Sequence, residues 1–95
     1  MALALIRKDY LEILKLLKEG DMQSSRLAES VKSVSISEAY KRIKTLEKEG
    51  LIEHYTGENE RGQPIKIYRL TELGRLVLER VEELEEKYQK IRIKK

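Results

Sequence analysis

Apolar residues recur at Ile6, Tyr10, Ile13, Leu14 and Leu17, the three-and-four spacing of one helical face. Gly20 supplies the stop, so the pattern predicts a first helix from Ile6 to Glu19. Asp21-Met22-Gln23 reads as a connector able to pair as a small strand. Ser24 or Ser25 is then placed to cap a second helix that turns Leu27, Ala28 and Val31 inward. The sharpest local signal follows. Ser35-Ile36-Ser37-Glu38 fits the capping box, in which a serine and a glutamate satisfy each other's free backbone N–H groups at a helix start. The third helix runs from there to Gly50 with Ala39, Ile43 and Leu46 as its inward stripe, and Tyr40, Lys41, Lys44 and Lys48 point the other way.

Periodicity changes after Gly50. The runs Leu51–Thr56 and Ile65–Leu70 are of strand length with much alternation, and the polar stretch from Gly57 to Pro64 between them predicts an antiparallel hairpin with a long tip. Thr71 caps a last helix extending to about Lys90, in which Leu73, Val77, Val81, Leu84, Tyr88 and Ile91 recur every three or four residues. Of these, Leu73 and Val77 are expected inward, against the first helix. A basic tail, Lys90-Ile-Arg-Ile-Lys-Lys95, closes the chain. The fold class is therefore mainly α with a small β-hairpin (α+β), with no repeat or linker interrupting it.

Composition narrows the chemistry. Ninety-five residues, two-fifths of them hydrophobic, suffice for one modest core, built from aliphatic side chains because there are five Tyr and no Phe or Trp. The absence of Cys removes disulfides, thiolate nucleophiles and thiolate metal sites, and the single His, His54, assembles no metal cluster alone. No cofactor is expected. The opening apolar stretch, residues 1–6, is too short for a signal core or a membrane span, and charge follows at once, which predicts a cytoplasmic protein with no membrane partner. The net charge of +3 leaves room for a locally positive face if the acids are segregated. The acid pairs Glu82-Glu83 and Glu85-Glu86 have basic neighbours three or four residues away and read as a solvated helix face. No nucleophile–base pair or phosphate-cradling glycine loop appears, so no enzyme is expected.

Two helices, a turn, a third helix with a basic face and an immediate hairpin form the arrangement called a winged helix. The segments that carry this likeness are Leu27-Ala28, Val34-Ser35, Leu46–Ile52, Arg61-Gly62-Gln63-Pro64 and Tyr68–Gly74. In that order, Ser24 to Arg69 resembles the winged helix-turn-helix superfamily of regulators, including the ArsR, MarR and PadR groups. Small archaeal and archaeal-virus members use a long C-terminal helix to dimerise. The resemblance implies a winged-helix domain over residues 1–72 and a dimerisation helix with basic tail over residues 73–95.

The resemblance also implies that the third helix lies in the major groove of double-stranded DNA, with Ser35, Ile36, Ser37, Tyr40, Lys41 and Lys44 facing it. The helix faces agree. Ser35 and Ser37 sit where short hydroxyls and free amides meet a phosphate or base edge, and Lys41 and Lys44 suit phosphate or guanine. Beside Gly62, Arg61 is free to approach a minor groove or flanking phosphate, and Lys66 lies at the edge of the same region. Glu58 and Glu60 oppose this by repelling phosphate, and a plain solvated turn is the simpler reading for the rest of the tip. Likewise Ser35 is accounted for as a cap alone.

Val81, Leu84, Tyr88 and Ile91 form a short heptad seam of coiled-coil type that a homodimer would bury. A two-fold protein places its two recognition helices one DNA turn apart, about 34 Å. The function expected is a sequence-specific transcription regulator, a repressor, at the nucleoid. An architectural binder of low specificity is the alternative, and a protein-interaction winged helix is disfavoured by Lys41, Arg42 and Lys44. A small-molecule effector is left open.

Overall fold

A computed structural model of the chain describes residues 7–93, so the expected helix start at Ile6 and the last two residues of the basic tail lie outside the described residues. The element order is α1 (Lys8–Glu19), β1 (Met22–Gln23), α2 (Ser24–Ser30), α3 (Ile36–Lys48), β2 (Ile52–Glu58), β3 (Pro64–Leu70) and α4 (Glu72–Ile93). The core lies where α1, α2 and α3 meet the base of the sheet. Ile13 and Leu14 of α1, Leu27 of α2, Ile43 and Leu46 of α3 and Ile52 of β2 are all fully enclosed there.

Local chemistry explains the boundaries. The side chain of Ser35 accepts a hydrogen bond from the Glu38 N–H at 3.2 Å, which starts α3. Only half of the expected capping box forms, because the Glu38 carboxylate turns to Lys41 and Arg42 at 3.5 and 3.1 Å. At the other end, the Gly50 N–H donates to Glu47 O and the Leu51 N–H to Leu46 O, each at 3.0 Å. This is a Schellman closure, with Gly50 at φ +82 in the left-handed position that glycine tolerates and with Leu46 and Leu51 both buried beside it. Neither Ser24 nor Ser25 caps α2. The helix follows β1 without a gap, so Gln23 takes the cap position and makes no side-chain capping bond.

The expected hairpin is part of a three-stranded antiparallel sheet in the order β1-β3-β2. Met22 pairs with Tyr68 and Gln23 with Ile67, which realises the strand expected of the connector. The strands run further than their apolar residues suggested, and the tip shrinks to residues 59–63. Asn59 organises it: its side-chain oxygen accepts from the N–H groups of Arg61 and Gln63, both at 2.9 Å. The pairings Ile52/Leu70, His54/Tyr68 and Thr56/Lys66 share one face of the wing, and Glu53/Arg69 and Tyr55/Ile67 share the other.

In α4 one expectation is corrected. Leu73 is 42% exposed, and the residues that enter the core are Gly74 and Leu78, the latter 1% exposed. A Cβ at Gly74 would stand 1.9 Å from the Leu51 carbonyl oxygen, so the missing side chain lets the helix lie directly on the turn after α3. Thr71 fastens this junction, since its hydroxyl donates to Gly50 O at 2.6 Å and accepts from the Gly74 N–H at 3.0 Å. Val77, the second residue expected inward, is partly buried against the core. Farther along, Lys18–Glu82 and Lys15–Glu85 contacts at 3.0 and 3.4 Å tie α1 to α4.

Candidate nucleic-acid interface

The exposed side of α3 begins with Ser35, Ile36 and Ser37 in the open, Ile36 being more than half exposed. Tyr40, Lys41 and Lys44 follow on the solvent side, so all six expected residues of this helix share its outer surface. The two serine hydroxyls lie 3.4 Å apart, and Ser35 is already engaged as the cap. Lys41 touches Glu38 at 3.5 Å, an exposed pair of little energetic weight that leaves the ammonium free to exchange partners. Tyr40 is exposed beside them, at 38% of its surface.

Arg42, counted among the basic residues of the helix, does not join them. Its Nε donates to Asp9 Oδ2 at 2.7 Å and its guanidinium lies 5.7 Å from the Tyr10 ring, so it fastens α3 to α1 with only 20% of its side chain exposed. Burial by itself pushes the Asp9 carboxyl up. The Arg42 and Tyr10 N–H hydrogen bonds and the charges of Arg7 and Arg42 outweigh it, holding the group below the ordinary carboxylate value.

A second brace reaches the turn before α3. Glu12 accepts from the Lys32 N–H at 2.6 Å, the Ser33 N–H at 3.2 Å and the Ser33 hydroxyl at 2.7 Å. Partial burial opposes ionisation there too, but those three donors and Lys8 hold the Glu12 carboxyl low. One carboxylate on α1 thus sets the turn that aims the recognition helix. Sequence reasoning missed both braces, because Asp9 and Glu12 look like ordinary helix-surface acids until their partners, twenty or more positions away, fold against them.

Arg61 and Lys66 stand on the wing, both exposed. The Lys66 ammonium lies 5.7 Å from the ring of Tyr68, whose edge meets His54 at a ring separation of 5.7 Å. His54 Nδ1 donates to Glu47 Oε2, and the Tyr68 hydroxyl donates to Glu47 Oε1 at 3.4 Å. Burial and the neighbouring Glu47 carboxylate push the Tyr68 hydroxyl up to about 12, so it stays protonated as a donor. This cluster, bridging α3 to both long strands, was likewise not foreseen; no local motif announces it. Among the described residues no group of His, Cys, Asp and Glu is placed to hold a metal ion, and no helix is long and apolar enough to cross a membrane.

The chain therefore presents one outer helix face with two lysines, hydroxyls at its start, and a wing with two further cations beside it. The model of the PadR-like family of transcriptional regulators matches residues 13–80, from the middle of α1 through the wing to the first half of α4. The chain belongs to this PadR-like family. It is a transcription regulator and not an enzyme.

Among solved structures, Bacillus subtilis PadR in complex with operator DNA is 26% identical, with a TM-score of 0.65 over 78% of this chain and 46% of that one. This chain thus spans less than half of that regulator. A PadR family transcription regulator from Clostridium difficile R20291 is 24% identical with a TM-score of 0.71, covering 86% of this chain and 93% of that one. A chain of Enterococcus faecalis V583 assigned to the MarR family of transcriptional regulators is 21% identical with a TM-score of 0.81, covering 96% and 81%. These two likenesses show the winged-helix fold. A comparison of the sequence with curated proteins finds no significant match.

Proposed function

We propose that this PadR-like protein is a homodimeric, sequence-specific repressor that places α3 in the major groove and the wing on the adjacent minor groove or backbone. The observation that carries the reading is the joint exposure of Lys41 and Lys44 on α3 and of Arg61 and Lys66 on the neighbouring wing, with the core-facing residues of both elements buried. Ser35, Ile36, Ser37 and Tyr40 complete the surface toward base edges. Support for DNA binding as such comes from the Bacillus subtilis relative, which was solved in complex with operator DNA.

Residues 73–95 serve as the dimerisation helix of the winged domain at residues 1–72. Leu84, Tyr88 and Ile91 are exposed at 67%, 57% and 71%, a density of large apolar side chains that favours burial against a second copy. Val81 is already half-buried in its own chain and marks the inner edge of that seam. Two-fold symmetry then spaces the two α3 helices by about 34 Å, one turn of DNA. The protein works in the cytoplasm, at the nucleoid.

The test is fluorescence anisotropy with a labelled duplex from directly upstream of the protein's own coding sequence against a random duplex, each titrated across salt. A preference of about a thousandfold or more, with affinity falling steeply as salt rises, supports the specific regulator. Equal and salt-sensitive binding to both would favour an architectural binder, and no binding at low salt would favour a protein partner.

A further inference from the structure

We propose that Glu47 is a positioning residue for DNA binding: gripped by His54 and Tyr68, it fixes the wing against α3 and so sets the offset of Arg61 and Lys66 from Lys41 and Lys44. The inference rests on the DNA-binding reading above and deepens it. Glu47 stands in the last turn of α3, partly buried, and divides its carboxylate between two strands. Oε2 takes the His54 ring of β2, and Oε1 takes the Tyr68 hydroxyl of β3. His54 and Tyr68 are direct register partners, and Lys66 shares their face and lies over the Tyr68 ring. One side chain of the recognition helix is thus linked through two contacts to a cation of the wing.

Charge alone argues the other way. An acid three positions after Lys44 repels phosphate, and a surface acid with no further role would weaken binding wherever it stood. Its presence is accounted for if the wing's angle matters more than the local potential.

Two measurements on the full chain test this. The first is amide hydrogen exchange across β2 and β3 without DNA. The second is anisotropy with a duplex selected by the wild-type protein from a random pool, and with an unselected duplex. For Glu47→Ala we expect faster exchange in the wing and about a tenfold loss in the selected-to-unselected affinity ratio, with unselected binding unchanged or tighter. Glu47→Gln, which keeps the shape and the acceptor for Tyr68, falls between, and thermal melts verify that both variants are folded.

Unchanged wing exchange in Glu47→Ala, or tighter binding to both duplexes at an unchanged ratio, would overturn the inference alone. A wild-type chain that binds no duplex at all would instead overturn the DNA-binding reading, and the positioning role with it.

Discussion

Between Glu72 and Leu78, α4 lays Gly74 and Leu78 on the turn after α3, out of solvent; between Leu84 and Ile91 it carries large apolar side chains and keeps them in water. Both stretches show the same three-and-four spacing. What separates them is the close approach of the Leu51 turn. Gly74 allows the start of α4 to approach the Leu51 carbonyl, and Leu78 is enclosed one turn on, whereas farther along α1 meets α4 through the exposed Lys18–Glu82 and Lys15–Glu85 contacts. A periodic apolar stripe reports that a helix face seeks cover, and not whether the cover comes from the same chain.

The sharpest way to break that contrast is to charge the open half. Leu84→Glu with Ile91→Glu is expected to convert a dimer into a monomer by light scattering, because two carboxylates per chain would be buried against their symmetry mates. A dimeric mass in the double variant would reject this seam. Truncating the closed half acts on the fold instead. Leu78→Ala is expected to lower unfolding free energy by about 2–5 kcal/mol in chemical denaturation, the range for emptying a fully enclosed leucine site. Leu84→Ala measured at monomer-forming dilution should change it by less than about 0.5 kcal/mol.

A smaller effect separates α1's inner acid from its outer ones. Asp9→Asn should cost about 1–3 kcal/mol at pH 7, since it leaves the Arg42 guanidinium partly buried without its carboxylate. The sign with pH follows from the depressed folded-state value. The contribution of Asp9 is fully present above the unfolded value near 4 and is lost as pH falls through the lower folded value. Wild type and Asp9→Asn should therefore converge in stability as pH falls below the unfolded value, and a gap that stays constant there would contradict the pairing. Smallest of all, Lys41→Ala with Lys44→Ala should leave the melting temperature nearly unmoved, because exposed charges contribute less than about 1 kcal/mol.

Where the sequence was readable, the determining chemistry was local. Ser35 as a cap, Gly50 as a stop and the outward Tyr40, Lys41 and Lys44 depend on neighbours within one helical turn. What escaped depends on partners far along the chain. Leu73 was assigned inward because it is the first apolar residue in the three-and-four recurrence of the last helix. The true inner face is offset by one position, since a glycine, invisible to a count of apolar residues, is what touches Leu51. Arg42 counted simply as one of the basic residues of α3 until Asp9 claimed it, and Glu47, His54 and Tyr68 gave no sign of meeting before the β2–β3 register brought two of them opposite each other. The six α3 residues were legible as a surface, and the braces that aim that surface were not.

The most direct measurement is the affinity of the Lys41→Ala, Lys44→Ala chain for the upstream duplex, by anisotropy beside wild type and at several salt concentrations. The expected result is binding weaker by about tenfold or more, a salt slope reduced by about two phosphate contacts, and an unaltered melt. Affinity and slope equal to wild type would mean that α3 does not face DNA.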